Sequence, residues 1–211
     1  MTHRLGWMAW ATGTVVLVVV SACGGGAGTD PSPTPPSSPV SSASSPASPT
    51  TSSTSASPED AATAAVVALM RRYFAVLDAV RQDPSLPLSR LSSVMTSVEL
   101  TTQHRLVEGE RQQHLRQTGE TAIDRFTVQS VNLDDSVPSA GRVPTVTIDV
   151  CWDVSGADLV DKKGHSVVSA TRPDRGWARY TVANHHWSTN PSGGWRVADG
   201  QDLKRTPCAA S

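Results

Sequence analysis

The chain lacks most of what would announce a chemistry. Its 211 residues carry 18 Lys and Arg against 19 Asp and Glu, a formal net charge of -1. No broad basic field therefore argues for nucleic acid or for an anionic membrane surface. Lysine is scarce, 3 residues against 15 Arg, the bias of a GC-rich coding sequence and a poor guide to function. Cysteine is equally scarce, with three residues at 23, 151 and 208, and no zinc-type cluster of them is visible. No Ser-His-Asp order, P-loop or dinucleotide-binding glycine pattern occurs. The apolar run over residues 5–20 falls short of the roughly 20 residues that span a bilayer.

What is present begins with a sharp contrast around Val20-Ser21-Ala22-Cys23. His3 and Arg4 make a cationic start, residues 5–20 an apolar core, and Ser21 and Ala22 a small-residue junction before Cys23, the layout of a removable signal. The tetrapeptide resembles the lipobox of bacterial lipoproteins, with Val20 where Leu is more usual. That resemblance implies that the Cys23 thiol accepts a diacylglyceryl group before cleavage and becomes the acylated N-terminus. Two or more acyl chains anchor stably where one does not. The alternatives are plain secretion with Cys23 incidental and a retained membrane anchor.

Residues 23–58 read as a tether. Of the 28 residues in 31–58, 24 are Pro, Ser or Thr, too few apolar groups to offset the entropy of ordering. Frequent proline biases such a chain toward extended polyproline II. Its hydroxyls are also candidate O-glycosylation sites.

Residues 59–211, about 150 in all, suffice for one domain with a single core. Ser57-Pro58-Glu59-Asp60 is a helix start, with Ser57 as cap, Pro58 in the first turn and two acids at the positive end. Val66, Leu69, Met70, Tyr73, Leu77 and Val80 recur at helical spacing up to Asp83-Pro84. A short second helix is expected around Leu88–Met95, and a third over residues 97–117, closed by Gly119. The third has a poorly defined apolar face, which predicts a largely exposed helix on one flank.

The period then switches to two. Val146, Ile148, Val150, Trp152 and Val154 alternate with Thr145, Thr147, Asp149, Cys151 and Asp153, the clearest strand in the chain. Residues 122–133 read as a long strand with a bulge near Gln129-Ser130. Residues 156–168 predict a small hairpin turning at 161–164, and residues 177–183 and 194–199 two further strands joined by a polar loop. Helices followed by an antiparallel meander give an α+β fold. In an exported domain, Cys151 and Cys208 read as one disulfide that staples the tail across the sheet.

Three N-terminal helices followed by a curved antiparallel sheet resemble the NTF2-like cone fold, which also houses ketosteroid isomerases and SnoaL-type cyclases. The closer resemblance is to NTF2-like surface lipoproteins of high-GC Gram-positive bacteria. It is carried by Leu115-Arg116-Gln117-Thr118-Gly119, Val150-Cys151-Trp152-Asp153-Val154, Ala178-Arg179-Tyr180-Thr181-Val182, Gly193-Gly194-Trp195-Arg196-Val197 and the closing Pro207-Cys208, over about residues 59–208. These motifs are structural, so they speak to fold and location more than to activity.

Enzymes of that fold use Asp, His or Tyr in the mouth of the cone. Tyr73 with Asp124 or Asp149 would supply such a set, but an aromatic in an apolar helical stripe is more often core. Asp149 and Asp153 share a strand face with Cys151 and read as solvated or paired with Arg125, Arg179 or Arg196. His185 and His186, adjacent on an extended segment, point to opposite sides and cannot chelate one ion together. His104 and His114, ten residues apart on one helix, are about 15 Å apart. Trp187 either stacks on a sugar or partner protein or folds back beside Trp195. The expectation is a non-enzymatic envelope lipoprotein that uses neither metal nor cofactor. It is anchored to the membrane through Cys23 and binds an envelope protein rather than nucleic acid. A small apolar ligand or wall glycan, held near Trp187 or Tyr73, is the alternative, and a ketosteroid-isomerase-like or SnoaL-like enzyme the third reading.

Overall fold

The first described helix, α1 (Pro58–Gln82), begins where its cap predicts: Ser57 Oγ accepts from the Asp60 amide at 3.1 Å. The computed structural model describes residues 56–209. The signal, Cys23 and nearly all of the tether lie outside the described residues. One face of α1, from Ala62 through Val66, Leu69, Met70, Tyr73 and Leu77 to Val80, is buried. Asp83 receives the chain with an extended backbone before Pro84, so the helix stops there.

A 3-10 turn (Leu88–Ser93) follows, anchored by fully buried Leu91. The next residues run beside the last strand. The Thr96 amide donates to the Val197 carbonyl at 2.8 Å, and the Val197 amide to the Val94 carbonyl at 2.9 Å. Helix α2 (Ser97–Gln112) buries Val107 and two acids, Glu99 and Glu110. Those acids explain why its apolar face was hard to define. It ends at Gln112 rather than at the expected 117. His114 adopts a left-handed φ of 57° and the Leu115 amide closes on the Glu110 carbonyl at 2.8 Å.

The freed residues make β1 (Arg116–Thr118), which pairs antiparallel with β4 (Asp158–Val160). The expected hairpin over 156–168 survives as a turn, with the Gly164 amide on the Asp161 carbonyl at 2.9 Å and one bridge between Val160 and Ser166. Gly119, at φ 70°, turns the chain so close to Gly156 that a Cβ would collide with that residue's carbonyl. The second sheet is a four-stranded antiparallel meander in the order β2 (Ala122–Asn132), β3 (Thr145–Asp153), β5 (Arg175–Asn184), β6 (Trp195–Leu203). The bulge expected near Gln129 is a register shift between Val128 and Ser130, and a second shift lies between Ile123 and Arg125. β6 runs four residues past the expected end at 199. The fold is α+β, with both helices and the 3-10 turn preceding the strands among the described residues.

The core lies between α1 and one face of the meander, where Val146, Ile148 and Val150 of β3 are fully buried. Tyr73, Phe74 and Tyr180 interlock edge to face, with ring centroids 5.0 to 6.0 Å apart. Among the described residues, no helix is long and apolar enough to cross a membrane.

Candidate functional site

The opposite face of the meander is polar, and it is buried chiefly along β3, at Asp149, Cys151 and Asp153. Asp149 is fully buried. Its cross-strand neighbour Arg179 donates to it at 2.7 and 3.1 Å, and Arg205 from the tail reaches it at 3.2 Å. Asp153 sits opposite Arg175 and is ion-paired with it. Hydrogen bonds from Ser155, with the Arg175 guanidinium adding to them, push the Asp153 carboxyl down to about 2. Of the three arginines expected to pair with these acids, only Arg179 does so. Arg196 instead donates to the Ser92, Gly193 and Trp195 carbonyls. The partner that sequence missed is Arg175. The two carboxylates are thus ion-paired rather than poised for catalysis.

Between these pairs, Cys151 and Cys208 form a disulfide, with Cα atoms 6.2 Å apart across 57 residues. Asp124 Oδ2 lies 3.8 Å from one sulfur, 4.0 Å from the other and 3.3 Å from Arg175 Nε. These three residues stand close enough together to suggest a metal site. With the sulfurs bonded to each other, however, neither offers the thiolate a metal would need.

Tyr73 does not meet Asp124 or Asp149. It is 1% exposed, and its hydroxyl donates to Glu99 of α2. Burial, then the neighbouring Tyr180 and the Glu99 carboxylate, hold its phenol well above the usual range. Burial and the charges of Glu99 and Asp202 do the same to Tyr180. Both therefore remain neutral hydroxyls. Glu99 was not foreseen, because a single acid in the first turn of a helix reads as a complement to the helix dipole.

A recess of about 310 Å3 opens between α1 and β2, with Asp78 among its lining. A buried acid at the base of an opening is a catalytic signature, but this one is a clasp. Its oxygens take Gln117 Nε2 at 2.7 Å, the Thr121 amide at 2.8 Å and the Thr121 hydroxyl at 3.0 Å. It therefore ties α1 to the start of the strand region.

Trp187 folds back as one reading expected, its ring 5.8 Å from Trp195 and edge-on to it. It is half-buried, and its free side walls an apolar groove of about 280 Å3 with Pro58, Ala61, Ala62, Pro191 and Ser192. The loop that presents it is organised by fully buried Asn184. The Asn184 amide group donates to the Asn190 and Pro191 carbonyls at 2.9 and 3.2 Å, and its oxygen accepts from the His186 amide at 2.9 Å. Gly194 leaves room for that side chain, since a Cβ there would strike Asn184 Oδ1. His185 and His186 lie at the start of this turn.

No protein-family model matches the chain, and no curated protein matches it. Among solved structures it is similar to the intermembrane space region of chloroplast protein ARC6, at 21% identity and a TM-score of 0.47 over 68% of this chain and 96% of that one. A periplasmic fragment of TraM overlaps at 12% identity and TM-score 0.42, covering 68% and 98% of the two chains. Aln2 from a Streptomyces species does so at 10% and 0.39, covering 66% and 88%. At such identities and TM-scores these likenesses carry nothing about activity, partner or location.

Proposed function

We propose that this chain is a lipid-anchored envelope protein whose NTF2-like, cone-type domain works through its outer surface, binding another protein on the extracytoplasmic side of the membrane. The observation that carries the reading is the placement of the large side chains. Leu69, Met70, Tyr73, Ile148 and Trp195 are each 2% exposed or less and fill the space between helices and sheet where the enzymes of that fold hold substrate. The Trp-walled groove lies outside that core. Half-buried tryptophan beside proline and alanine is the surface on which an apolar side chain of a protein partner docks.

Two further observations support the location. The Cys151–Cys208 bridge belongs in a compartment where disulfides persist. The lipobox-like Val20-Ser21-Ala22-Cys23 and the Pro, Ser and Thr-rich tether hold a domain out from a membrane. The groove begins at Pro58, where the tether enters the domain, so a partner seated there lies at the tether's junction with the domain.

A photo-crosslinking residue at Ser192, on the groove rim, tests the reading in intact cells. The expected product is a discrete adduct with one envelope protein, lost when Trp187→Ala is added. Adducts with lipid alone, or an adduct indifferent to Trp187, would overturn it.

A further inference from the structure

A second site lies where α2 crosses β5 and β6, and it is independent of the Trp187 groove. Glu99 is 4% exposed, yet no Lys or Arg pairs with it among the described residues. One carboxylate oxygen, Oε1, is satisfied twice, by the Tyr73 hydroxyl and by Gln103 Nε2 at 2.9 Å. The other, Oε2, takes no hydrogen bond from the described residues and points at Gly200 of β6. A Cβ placed on Gly200 would lie 3.0 Å from that oxygen and 2.8 Å from Tyr180 Cε1.

Gly200 is not there for backbone freedom. Its φ lies outside the left-handed region, where Gly119, Gly141 and Gly164 fall. A glycine inside a strand costs stability, and it marks a place where something must come close. Packing of the Tyr180 ring over its cross-strand partner Gly200 would account for the glycine. It would not account for so buried a residue turning one carboxylate oxygen into an open recess, with no protein donor on it. The missing side chain opens a recess of about 190 Å3 from Glu99 and Tyr180 out to Thr102, Gln103 and Asp202, room for about six water-sized groups.

The charge of this recess is one-sided. Glu99 lies at its base and exposed Asp202 at its mouth, and no basic side chain lines it. The Tyr180 ring adds an aromatic wall, which favours cations. Two carboxylates and the unpartnered amide oxygen of Gln103 are too few ligands for calcium, which takes six to eight oxygens. A ligand with N–H donors on a short apolar stem satisfies the site better. We propose that this recess binds a small organic ammonium ion, whose nitrogen donates to Glu99 Oε2 and whose stem lies along Tyr180 toward Asp202.

The test titrates the full, nitrogen-15-labelled chain with butylammonium chloride, against sodium butyrate and sodium chloride at matched ionic strength. The readout is the amide shifts of Gly200 and Asp202. Butylammonium is expected to produce a saturable shift, and neither sodium salt is. Glu99→Gln keeps an acceptor for Tyr73 and removes the charge, so it should weaken binding about tenfold or more. Asp202→Asn, at an exposed position that does not threaten folding, should weaken it by a smaller factor. The proposal is overturned if no shift saturates, if sodium butyrate saturates equally, or if both variants bind as the parent does.

Discussion

Arg205 lies with its guanidinium 3.9 Å above the ring of Trp177, and this stack holds the chain's tail against the outer face of the sheet. The same arginine reaches Asp149 at 3.2 Å, and three residues on, Cys208 is tied to Cys151. The tail is therefore a cover over a polar ladder of Asp149–Arg179 and Asp153–Arg175 pairs that would otherwise face water.

Loss of the disulfide should release that cover. Closing a 57-residue separation restricts the unfolded chain by about 4 kcal/mol on the entropy model. Cys208→Ser and the reduced parent should then show the same lowered denaturant midpoint, well below that of the oxidised chain. Identical midpoints with and without reductant would mean that the tail contributes nothing.

The Asp153 pair sets a limit in acid. Its carboxyl is held at about 2 in the folded state, against about 3.9 in an unfolded chain. A depressed value stabilises the fold above the unfolded value and ceases to do so as pH falls through the folded one. The parent should lose stability between about pH 4 and pH 2. Asp153→Asn should be less stable at neutral pH and show a flatter dependence across that window. Denaturant titrations at stepped pH measure both slopes, and parallel curves would contradict the assignment.

Trp187 on the groove and Trp195 behind it in the core should separate binding from structure. Trp195 is 1% exposed, and its truncation to Ala should cost about 3 to 5 kcal/mol. Trp187 contributes an edge-on ring contact, so Trp187→Ala should cost about 1 kcal/mol while abolishing the crosslink from Ser192. Thermal unfolding of the two variants checks the ordering, and equal losses would make Trp187 a core residue.

Much of the fold was legible because it rests on local chemistry. The Ser57 cap and the stripe from Val66 to Val80 specify α1. The alternation around Val146–Val150 specifies β3, and the slip at Gln129 its neighbour's bulge. What stayed hidden depends on pairings far apart in the chain. Nothing periodic marks Arg116–Thr118 as a strand, since its partner at Asp158–Val160 lies about 40 residues on and is three residues long. The burial of Glu99 and Asp78 was invisible for the same reason: apart from Gln103, one turn on from Glu99, their donors Tyr73, Gln117 and Thr121 are 26 to 43 residues away. Arg175 was missed because nothing local shows that register sets it directly opposite Asp153.

The central claim is that Cys23 carries lipid and holds this domain at a membrane. Intact mass of the chain extracted from its native membranes tests that most directly, with Cys23→Ala as the companion. The account predicts a chain that begins at Cys23 and bears a diacylglyceryl group, and a variant that leaves the membrane fraction. A native chain that retains its leader without added lipid, or a variant that still sediments with membranes, would contradict it.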